Sequence, residues 1–566
     1  MSVKLSGWST AAGSPAYSIV AGAAVAAESV LTVTPDSITA NDTDESAITL
    51  TLKDKYLNDV KSATVGFTSN LAGVTFDTVT NNEDGTYSSA LTGKLAGTAT
   101  IGVRVNNNAF TVTGKTVTLK ADSSTAKLNN TGAGVTVVTT GSVADGESQN
   151  KVKITVTDTY GNGVSGQAVT LTADNSAVIT ASATTGSDGS VTVPVTTKKA
   201  GKTTVTATLN SIQAKASVNF VAGAPDAEKS SLAVSPASIV ANNTDESAIT
   251  LTLKDANDNP VSGQTVAFEG SLDSKKTTIS EVTDNSDGTY SATIKGTLAG
   301  EADITVKVGG VSFAVTGKTV TLTADSTTAK LTNPGAGVSV VTTGSVADGK
   351  SQNKVKITVT DTNGNGVSGQ KVTLKADNSG VIAGTATTGS DGSVTVPVTT
   401  KKAGKTTVTA TLNKIDAKAS VDFVAGAPDT DKSSLAVSPD SIVADNTAES
   451  TITLTLKDAN DNPATGLTVA FESSLDSKKT TISEVTDNSD GTYSATLKGT
   501  LAGKADITVK VGGESFAVTG KTVTLTADSA TAKLSNPGGG VTAVVTGAVA
   551  DGESENKVKI TVTDTY

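Results

Sequence analysis

The stretch KVKITVTDTNGNGVSG, residues 354–369, decides the fold because the rest of the chain repeats it. Val355 and Ile357 alternate with polar side chains, which is the two-residue period of a half-buried β-strand. The Asp, Asn and Gly residues that follow favour a turn, since they tolerate left-handed backbone or hydrogen-bond their own chain. Copies of the stretch begin at residues 151, 354 and 557, so the internal period is 203 residues. The sequence therefore predicts an array in which this strand and turn recur.

Composition excludes several classes of function. The 566 residues carry a net charge of −11 at pH 7 and include neither cysteine nor histidine. This acidic balance repels nucleic acid, so we expect no nucleic-acid partner. The lack of histidine removes imidazole bases and nearly all zinc sites, and carboxylates recur in every repeat rather than as one unique pair. We therefore predict no enzyme, no cofactor, and no catalytic, cofactor-binding or metal site.

Two related kinds of unit alternate along the chain. The first kind carries SITANDTDESAITLTLKD, as at residues 37–54, and the second carries the stretch at residues 354–369. Short alternating segments separated by turn signals, without helical periodicity, predict β-sandwiches. A single core stops growing at roughly 250–300 residues, so several are expected in this chain. The predicted fold class is all-β, a tandem array of immunoglobulin-like β-sandwich domains that forms an elongated rod.

The internal alignment predicts the domain boundaries. Residues 1–28 are expected to hold the end of a preceding unit, or a leader, plus a linker. The apolar run at residues 17–27 also fits a signal-peptide core, but its Gly22 aligns with Gly223 of a later linker, which favours the repeat. Ig-like units 1 to 5 are predicted at residues 29–121, 122–225, 226–324, 325–428 and 429–527. Residues 528–566 would be an incomplete sixth unit, with its final strand poorly packed or disordered.

Glycine and proline carry two more specific predictions about strands. Asp-Gly is the strongest short-range hairpin signal, and it predicts type I′ turns. The pairs are Asp84-Gly85, Asp188-Gly189, Asp287-Gly288, Asp391-Gly392 and Asp490-Gly491. Pro194 and Pro397 lie inside VTVPVTT segments, and proline cannot donate to a central ladder, so we predict that these strands lie at a sheet edge.

Three sets of side chains admit both a structural and a functional interpretation, and we favour the structural one for each. The tyrosines after the Asp-Gly-Thr turns fit backbone-bonded core residues better than ligand contacts. They are Tyr87, Tyr290 and Tyr493. The pairs Lys198-Lys199 and Lys401-Lys402 fit the guarding of an edge strand better than glycan or heparin binding. The DANDNP runs at residues 255–260 and 458–463 could supply oxygen ligands to calcium, but they fit a turn between two strands better.

Two longer motifs in the second kind of unit resemble a known family. One is ADG(K/E)SQNKVKITVTDTxGNGVSGQxVTL, at residues 144–171 and 347–374. The other is TGSDGSVTVPVTTKKAGKTTVTATL, at residues 185–209 and 388–412. Both are similar to the bacterial Ig-like domain, group 1, which is the repeat of the intimin- and invasin-type inverse-autotransporter adhesins. The resemblance covers nearly the whole chain from residue 29 onward.

The resemblance implies a function that the residues alone do not. It implies a non-catalytic stalk of a bacterial surface adhesin, located outside the cell and anchored in the outer membrane. It also implies two partners: the adhesin's own outer-membrane β-barrel, and a host-cell receptor or matrix protein bound by a tip. We expect both the barrel and the tip to lie outside this chain. The alternative is an accessory Ig-like array on a phage virion or tail protein that aids attachment to the host surface.

Overall fold

Strands that bury alternate side chains build the whole chain. The computed structural model describes residues 17–128, 133–331, 337–534, 540–545 and 547–566. Ser247, Ile249 and Leu251 are fully buried, while Ala248, between Ser247 and Ile249, is exposed, as the alternation in the sequence predicts. No α-helix occurs among the described residues, and the helical segments are three 3₁₀ turns at Ala26–Glu28, Ser123–Thr125 and Ser326–Thr328. None of them is long and apolar enough to cross a membrane.

The described strands form five two-sheet sandwiches, numbered here in chain order, and part of a sixth. Sandwich 1 contains β1 (Val30–Thr34), β2 (Ser37–Thr39), β3 (Ser46–Thr51), β4 (Val65–Ser69), β5 (Val74–Phe76), β6 (Thr80–Asn81), β7 (Thr86–Gly93), β8 (Gly97–Val105) and β9 (Asn108–Lys120). Sandwich 2 contains β10 (Lys127–Leu128), β11 (Val135–Thr139), β12 (Ser142–Val143), β13 (Asn150–Thr157), β14 (Ala168–Ala173), β15 (Val178–Ile179), β16 (Ser182–Thr184), β17 (Ser190–Thr196), β18 (Gly201–Leu209) and β19 (Ile212–Val221).

The next two sandwiches repeat the pattern. Sandwich 3 contains β20 (Ser231–Ser235), β21 (Ser238–Val240), β22 (Ser247–Thr252), β23 (Val266–Gly270), β24 (Thr277–Ile279), β25 (Thr283–Asp284), β26 (Thr289–Gly296), β27 (Gly300–Val308) and β28 (Val311–Thr323). Sandwich 4 contains β29 (Lys330–Leu331), β30 (Val338–Thr342), β31 (Ser345–Val346), β32 (Asn353–Thr360), β33 (Lys371–Ala376), β34 (Val381–Ile382), β35 (Thr385–Thr387), β36 (Ser393–Thr399), β37 (Gly404–Leu412) and β38 (Ile415–Val424).

The remaining strands belong to sandwich 5 and to the partial sixth. Sandwich 5 contains β39 (Ser434–Ser438), β40 (Ser441–Val443), β41 (Ser450–Thr455), β42 (Val469–Ser473), β43 (Thr480–Ile482), β44 (Thr486–Asp487), β45 (Thr492–Gly499), β46 (Gly503–Val511), β47 (Glu514–Ser515) and β48 (Lys521–Thr526). The sixth contributes β49 (Lys533–Leu534), β50 (Val541–Val545), β51 (Lys557–Ile560) and β52 (Val562–Thr563).

The two kinds of unit in the sequence are two sheet topologies. We call sandwiches 1, 3 and 5 A-type. In sandwich 1, one sheet has the order β1-β3-β7-β5, with β6 also paired to β7, and the other has the order β2-β9-β8-β4; sandwiches 3 and 5 repeat these orders with their equivalent strands. We call sandwiches 2 and 4 B-type. In sandwich 2, one sheet has the order β10-β13-β17-β15, with β11 also paired to β13, and the other has the order β12-β19-β18-β14-β16; sandwich 4 repeats these orders. Each core combines both sheets; in sandwich 4, Val355 and Ile357 of β32 pack in the same cluster as Val408 and Val421. The all-β, Ig-like prediction is confirmed.

The strand that carries Pro194 is not an edge strand, so that prediction is wrong. β17 lies between β13 and β15, and β36, with Pro397, lies likewise between β32 and β34. The outer neighbour is only two residues long: Val178 pairs with Thr196 and Ile179 with Val195. Pairing on that side therefore stops one residue short of Pro194, and the proline is accommodated although its strand is central.

The Asp-Gly turns are not type I′, because only the glycine of each pair has positive φ. At the first pair, Gly85 has φ +95° and Glu83 φ +59°, whereas Asp84 is not among the residues of positive φ. The aspartate instead accepts a hydrogen bond from the backbone two residues on, as Asp84 Oδ1 does from Thr86 N–H at 2.8 Å. In the B-type sandwiches the turn at Asp188 joins β16 to β17, which lie in opposite sheets, so no hairpin forms there. The aspartate side chain and the left-handed glycine after it together form these turns.

The paired lysines do not protect an edge strand either. Lys198 and Lys199 lie in the loop between β17 and β18, and Lys401 and Lys402 lie in the loop between β36 and β37. An edge-guarding role requires a position on a strand, so that prediction is wrong. This loop instead approaches the following sandwich, as described below.

The chain ends that the structure describes fit the repeat. Gly22 donates its N–H to Asp54 Oδ2 at 2.9 Å, and Gly223 does the same to Asp255 Oδ2 at 2.7 Å, as the alignment of the linkers predicts. The rest of the predicted leader or preceding unit, residues 1–16, lies outside the described residues. Val558 on β51 is 63% exposed, whereas its counterpart Val355 is fully buried. How this strand packs in the protein stays a prediction.

The three tyrosines have the structural role that we favoured. Each is 1% exposed and bonds the backbone of the loop after the third strand of its A-type sandwich. The Tyr290 hydroxyl donates to Val261 O at 3.1 Å and accepts from Gln264 N–H at 2.9 Å. Tyr87 and Tyr493 repeat this pair of bonds. The hydroxyl therefore fixes the loop that leads into the next sheet.

Replacing all three by phenylalanine is expected to lower the free energy of unfolding of each A-type sandwich by about 1–2 kcal/mol, since each substitution removes two hydrogen bonds to the backbone. Denaturant unfolding of the full chain, followed by circular dichroism, measures the change. Tyr160→Phe is the matched control because Tyr160 is 42% exposed and lies outside this motif. An unchanged midpoint for the triple variant would contradict the role assigned to the hydroxyl.

Candidate functional site at the unit junctions

A buried aspartate ends the central strand of the opening stretch. Asp361 follows β32 directly and is 1% exposed. Its Oδ1 accepts the N–H groups of Asn363 and Asn365 at 2.8 and 2.9 Å. Its Oδ2 accepts the side-chain Nδ2 of Asn365 at 2.8 Å and the N–H of Asp325 at 3.1 Å. Asp325 belongs to the linker from sandwich 3, so one carboxylate joins its own turn to the incoming chain.

Every complete sandwich uses this arrangement, although the linkers differ. In the B-type sandwiches the linker donor is the N–H of an aspartate, Asp122 or Asp325. In the A-type sandwiches the linker donor is the N–H of a glycine. These glycines are Gly22, Gly223 and Gly426, and their acceptors are Asp54, Asp255 and Asp458. One carboxylate position therefore serves both kinds of junction.

An asparagine four residues after the aspartate reaches into the preceding sandwich. Asn365 donates Nδ2 to Thr297 O at 2.9 Å and accepts the N–H of Ala299 on Oδ1 at 2.8 Å. Both groups lie in the loop between β26 and β27 of sandwich 3. Both ends of the amide are used, which fixes the orientation of that loop relative to the turn.

The same contact recurs at each of the four junctions between complete sandwiches, which we number 1/2, 2/3, 3/4 and 4/5. Asn162 bonds Lys94 O and Ala96 N–H; Asn259 bonds Lys198 O and Ala200 N–H; Asn462 bonds Lys401 O and Ala403 N–H. We call the aspartate and asparagine together the clamp pair. The pairs are Asp158/Asn162, Asp255/Asn259, Asp361/Asn365 and Asp458/Asn462.

Hydrogen bonds lower the pKa of the three carboxylates that receive the linkers of the A-type sandwiches. Burial of Asp255 raises its pKa, but the hydrogen bonds from the Asn259 side chain and the Gly223, Asn259 and Asn257 amides outweigh it, and the net pKa lies below the ordinary value. Asp458 has the same balance of causes and the same direction. For Asp54, the side chain of Asn58 and the N–H of Gly22 lower the pKa to about 2. At neutral pH Asp54, Asp255 and Asp458 are therefore charged, which strengthens the hydrogen bonds that they accept.

The hydrogen bonds to the turn aspartates disfavour the interpretation of these turns as calcium sites. The two carboxylate oxygens of Asp255 accept four N–H bonds, from the Asn257 and Asn259 amides, the Asn259 side chain and the Gly223 linker. A hard cation would have to displace these donors to reach the carboxylate. Across the described residues, no group of three or more acidic side chains is placed to hold a metal ion. The contacts support a turn, and the absence of a bound calcium stays a prediction.

The sequence predicted the turn but not its contact with the neighbouring sandwich. An Asp-centred turn needs only the aspartate and the backbone, so local chemistry does not call for the asparagine four residues on. That asparagine is nevertheless common to DANDNP and DTNGNG, as Asn259 and Asn365, while the residue before it changes. This shared position was the available signal for a contact outside the turn.

Asn365→Ala removes the acceptor of the Ala299 N–H, so we expect hydrogen exchange at that amide to accelerate by on the order of tenfold. Exchange measured on the full chain detects the change at a single site. The Ala200 amide, at junction 2/3, is the internal control because its acceptor, Asn259, is untouched. Equal protection of the Ala299 amide in the variant and the wild type would show that the clamp does not hold this loop.

Comparison with known families separates the two kinds of unit. A family model described as "Invasin, domain 3" matches residues 25–122, 226–325 and 429–528, more than half of the chain. A model described as "Bacterial Ig-like domain (group 1)" matches residues 132–221 and 335–424. The first set contains the A-type sandwiches and the second the B-type, so the alternation seen in the sequence is also an alternation of family models.

Relatives with curated descriptions include an adhesin and an invasin. The chain is 31% identical over 467 residues to the inverse autotransporter adhesin YeeJ of Escherichia coli (strain K12), covering 77% of this chain and 19% of that protein. It is 34% identical over 183 residues to invasin of Yersinia enterocolitica, covering 32% of this chain and 22% of that protein. The chain thus spans about a fifth of the length of these relatives. Among solved structures, the Escherichia coli adhesin FdeC matches 54% of this chain and 100% of that chain, with 28% identity and a TM-score of 0.42.

Proposed function

Since the chain belongs, by its Ig-like repeats, to the intimin and invasin family of bacterial adhesins, we propose that it is a non-catalytic stalk that projects a binding tip from the outer membrane. The anchor would be a β-barrel of the same protein, and the tip would bind a host-cell receptor or matrix protein. The chain would then lie outside the cell, on its surface. The two relatives described above are an inverse autotransporter adhesin and an invasin, both from bacteria, which favours this proposal over a phage virion array.

The observation that carries the proposal is the clamp pair at each junction. A tip is held away from a surface only if bending between successive units is resisted, because a chain of freely jointed units coils back. Asn259 supplies two hydrogen bonds to sandwich 2, and the carboxylate that positions it, Asp255, is 2% exposed. The linker connects neighbouring sandwiches covalently, and the clamp also fixes their relative orientation. A spacer needs this second property.

The surface chemistry is consistent with a spacer. A net charge of −11 favours solubility and discourages association between copies. The carboxylates recur at equivalent positions in successive units, as Asp84, Asp287 and Asp490 do. Repeated units offer the same groups several times over, which favours a spacer over a protein with one catalytic or receptor-binding surface.

The proposal predicts that length matters and that surface detail does not. Deleting residues 226–428 from the intact protein on the bacterial surface removes one sandwich of each kind. It joins sandwich 2 to sandwich 5 through the linker chemistry of junctions 2/3 and 4/5. We expect the deletion to reduce the adhesion of bacteria that carry long surface polysaccharide, because the polysaccharide then covers the tip of the shortened stalk. Bacteria that lack the polysaccharide are expected to keep their adhesion.

The matched control replaces residues 226–428 by two unrelated rigid sandwiches of equal length, which is expected to restore adhesion. The purified 566-residue chain, added as a competitor, is expected not to reduce adhesion. Competition by the purified chain, or loss of adhesion that the unrelated spacer does not restore, would mean that the sandwiches themselves bind the receptor. Either result would overturn the stalk proposal.

A further inference from the structure

A second side chain crosses three of the four junctions. Two residues after the clamp aspartate, an asparagine donates Nδ2 to the carbonyl of an alanine in the preceding sandwich. Asn257 bonds Ala144 O at 3.1 Å, Asn363 bonds Ala241 O at 3.0 Å, and Asn460 bonds Ala347 O at 3.1 Å. At these junctions the preceding sandwich is therefore held at two places, the loop bonded by the clamp asparagine and the strand end that carries the alanine.

Junction 1/2 lacks this second contact. Tyr160 occupies the position of Asn363, and tyrosine has no side-chain amide to donate to Ala40 O, the counterpart of Ala241 O. The Tyr160 side chain is 42% exposed, and the Lys94 ammonium lies 5.9 Å from its ring centroid. That distance is at the outer limit of a cation–π contact, which is weak at exposed positions.

The burial of the clamp asparagine differs between the junctions in the same direction. Asn259, Asn365 and Asn462 are 5%, 9% and 5% exposed, whereas Asn162 at junction 1/2 is only partly buried. A hydrogen bond that water reaches is more easily exchanged for a bond to water. Among the four junctions between complete sandwiches, the one without the second amide is therefore also the one whose clamp asparagine is only partly buried.

We propose that junction 1/2 is the flexible one among the four junctions between complete sandwiches and that the residue two positions after the clamp aspartate sets its stiffness. Asparagine there gives a two-point, stiff junction, and tyrosine gives a one-point junction that bends. The proposal rests on the stalk function, in which a compliant joint lets a stiff spacer change direction. It attributes the difference to a single side chain, because DTYGNGVSG and DTNGNGVSG are otherwise identical around Tyr160 and Asn363.

The test compares two junctions of the same kind within the full chain. The protein has no cysteine, so pairs of introduced cysteines can carry spin labels without background. Ala47→Cys with Lys151→Cys spans junction 1/2, and Ala248→Cys with Lys354→Cys spans junction 3/4; all four positions are exposed and equivalent in the repeat. Pulsed electron paramagnetic resonance measures the distance between the two spin labels, and its distribution is expected to be broader across junction 1/2 than across junction 3/4.

Exchanging the two residues tests the cause. Tyr160→Asn is expected to narrow the distribution at junction 1/2 to the width found at junction 3/4, and Asn363→Tyr to broaden junction 3/4 to the width found at junction 1/2. Tyr160→Asn introduces the residue that sandwich 4 already has at this position, so the variant is expected to fold. Equal widths in the unmodified junctions, or no response to Tyr160→Asn, would overturn the proposal. These distances are measured on purified protein, so they can fail or succeed independently of the adhesion experiments that test the stalk.

Discussion

The carboxylate of each clamp aspartate lies buried at the end of a central strand, where an ionised group must be met by hydrogen-bond donors. An unpaired buried charge costs several kcal/mol, whereas one surrounded by N–H groups is stable. The donors of Asp361 come from its own turn and from the linker that enters the sandwich. Satisfying the charge therefore fixes the path of the linker, and the clamp asparagine, positioned by the same carboxylate, then fixes the preceding sandwich.

This constraint explains how two different kinds of sandwich alternate without changing the junction. The linker after a B-type sandwich reads VAGAPD and that after an A-type sandwich is shorter, yet each presents one N–H to the same carboxylate oxygen. On the other side of the junction, the clamp asparagine meets the loop between the two sheets, whether it holds Lys198 and Ala200 or Thr297 and Ala299. Because these contacts use the backbone of the loop, its side chains are free to differ.

The features that the sequence predicts correctly are those with a local cause. The alternation of Val355 and Ile357 with polar residues is a property of one strand, and the tyrosines after Asp-Gly-Thr are large apolar groups with one polar atom to satisfy. The predictions that failed depend on neighbouring strands or neighbouring sandwiches. Pro194 lies in a central strand because β15 is short, and the length of a neighbouring strand is not contained in the VTVPVTT motif. The role of Asn365 was missed for the same reason, since its partners lie 66 and 68 residues away in another sandwich.

The central claim is that the clamp pairs fix the orientation of each sandwich relative to the one before it. Small-angle scattering of the full chain tests this directly when all four clamp asparagines, Asn162, Asn259, Asn365 and Asn462, are replaced by alanine. We expect the maximum dimension and radius of gyration to decrease while circular dichroism shows that the sandwiches stay folded. Scattering identical to that of the wild type, from a variant that keeps its fold, would contradict the account.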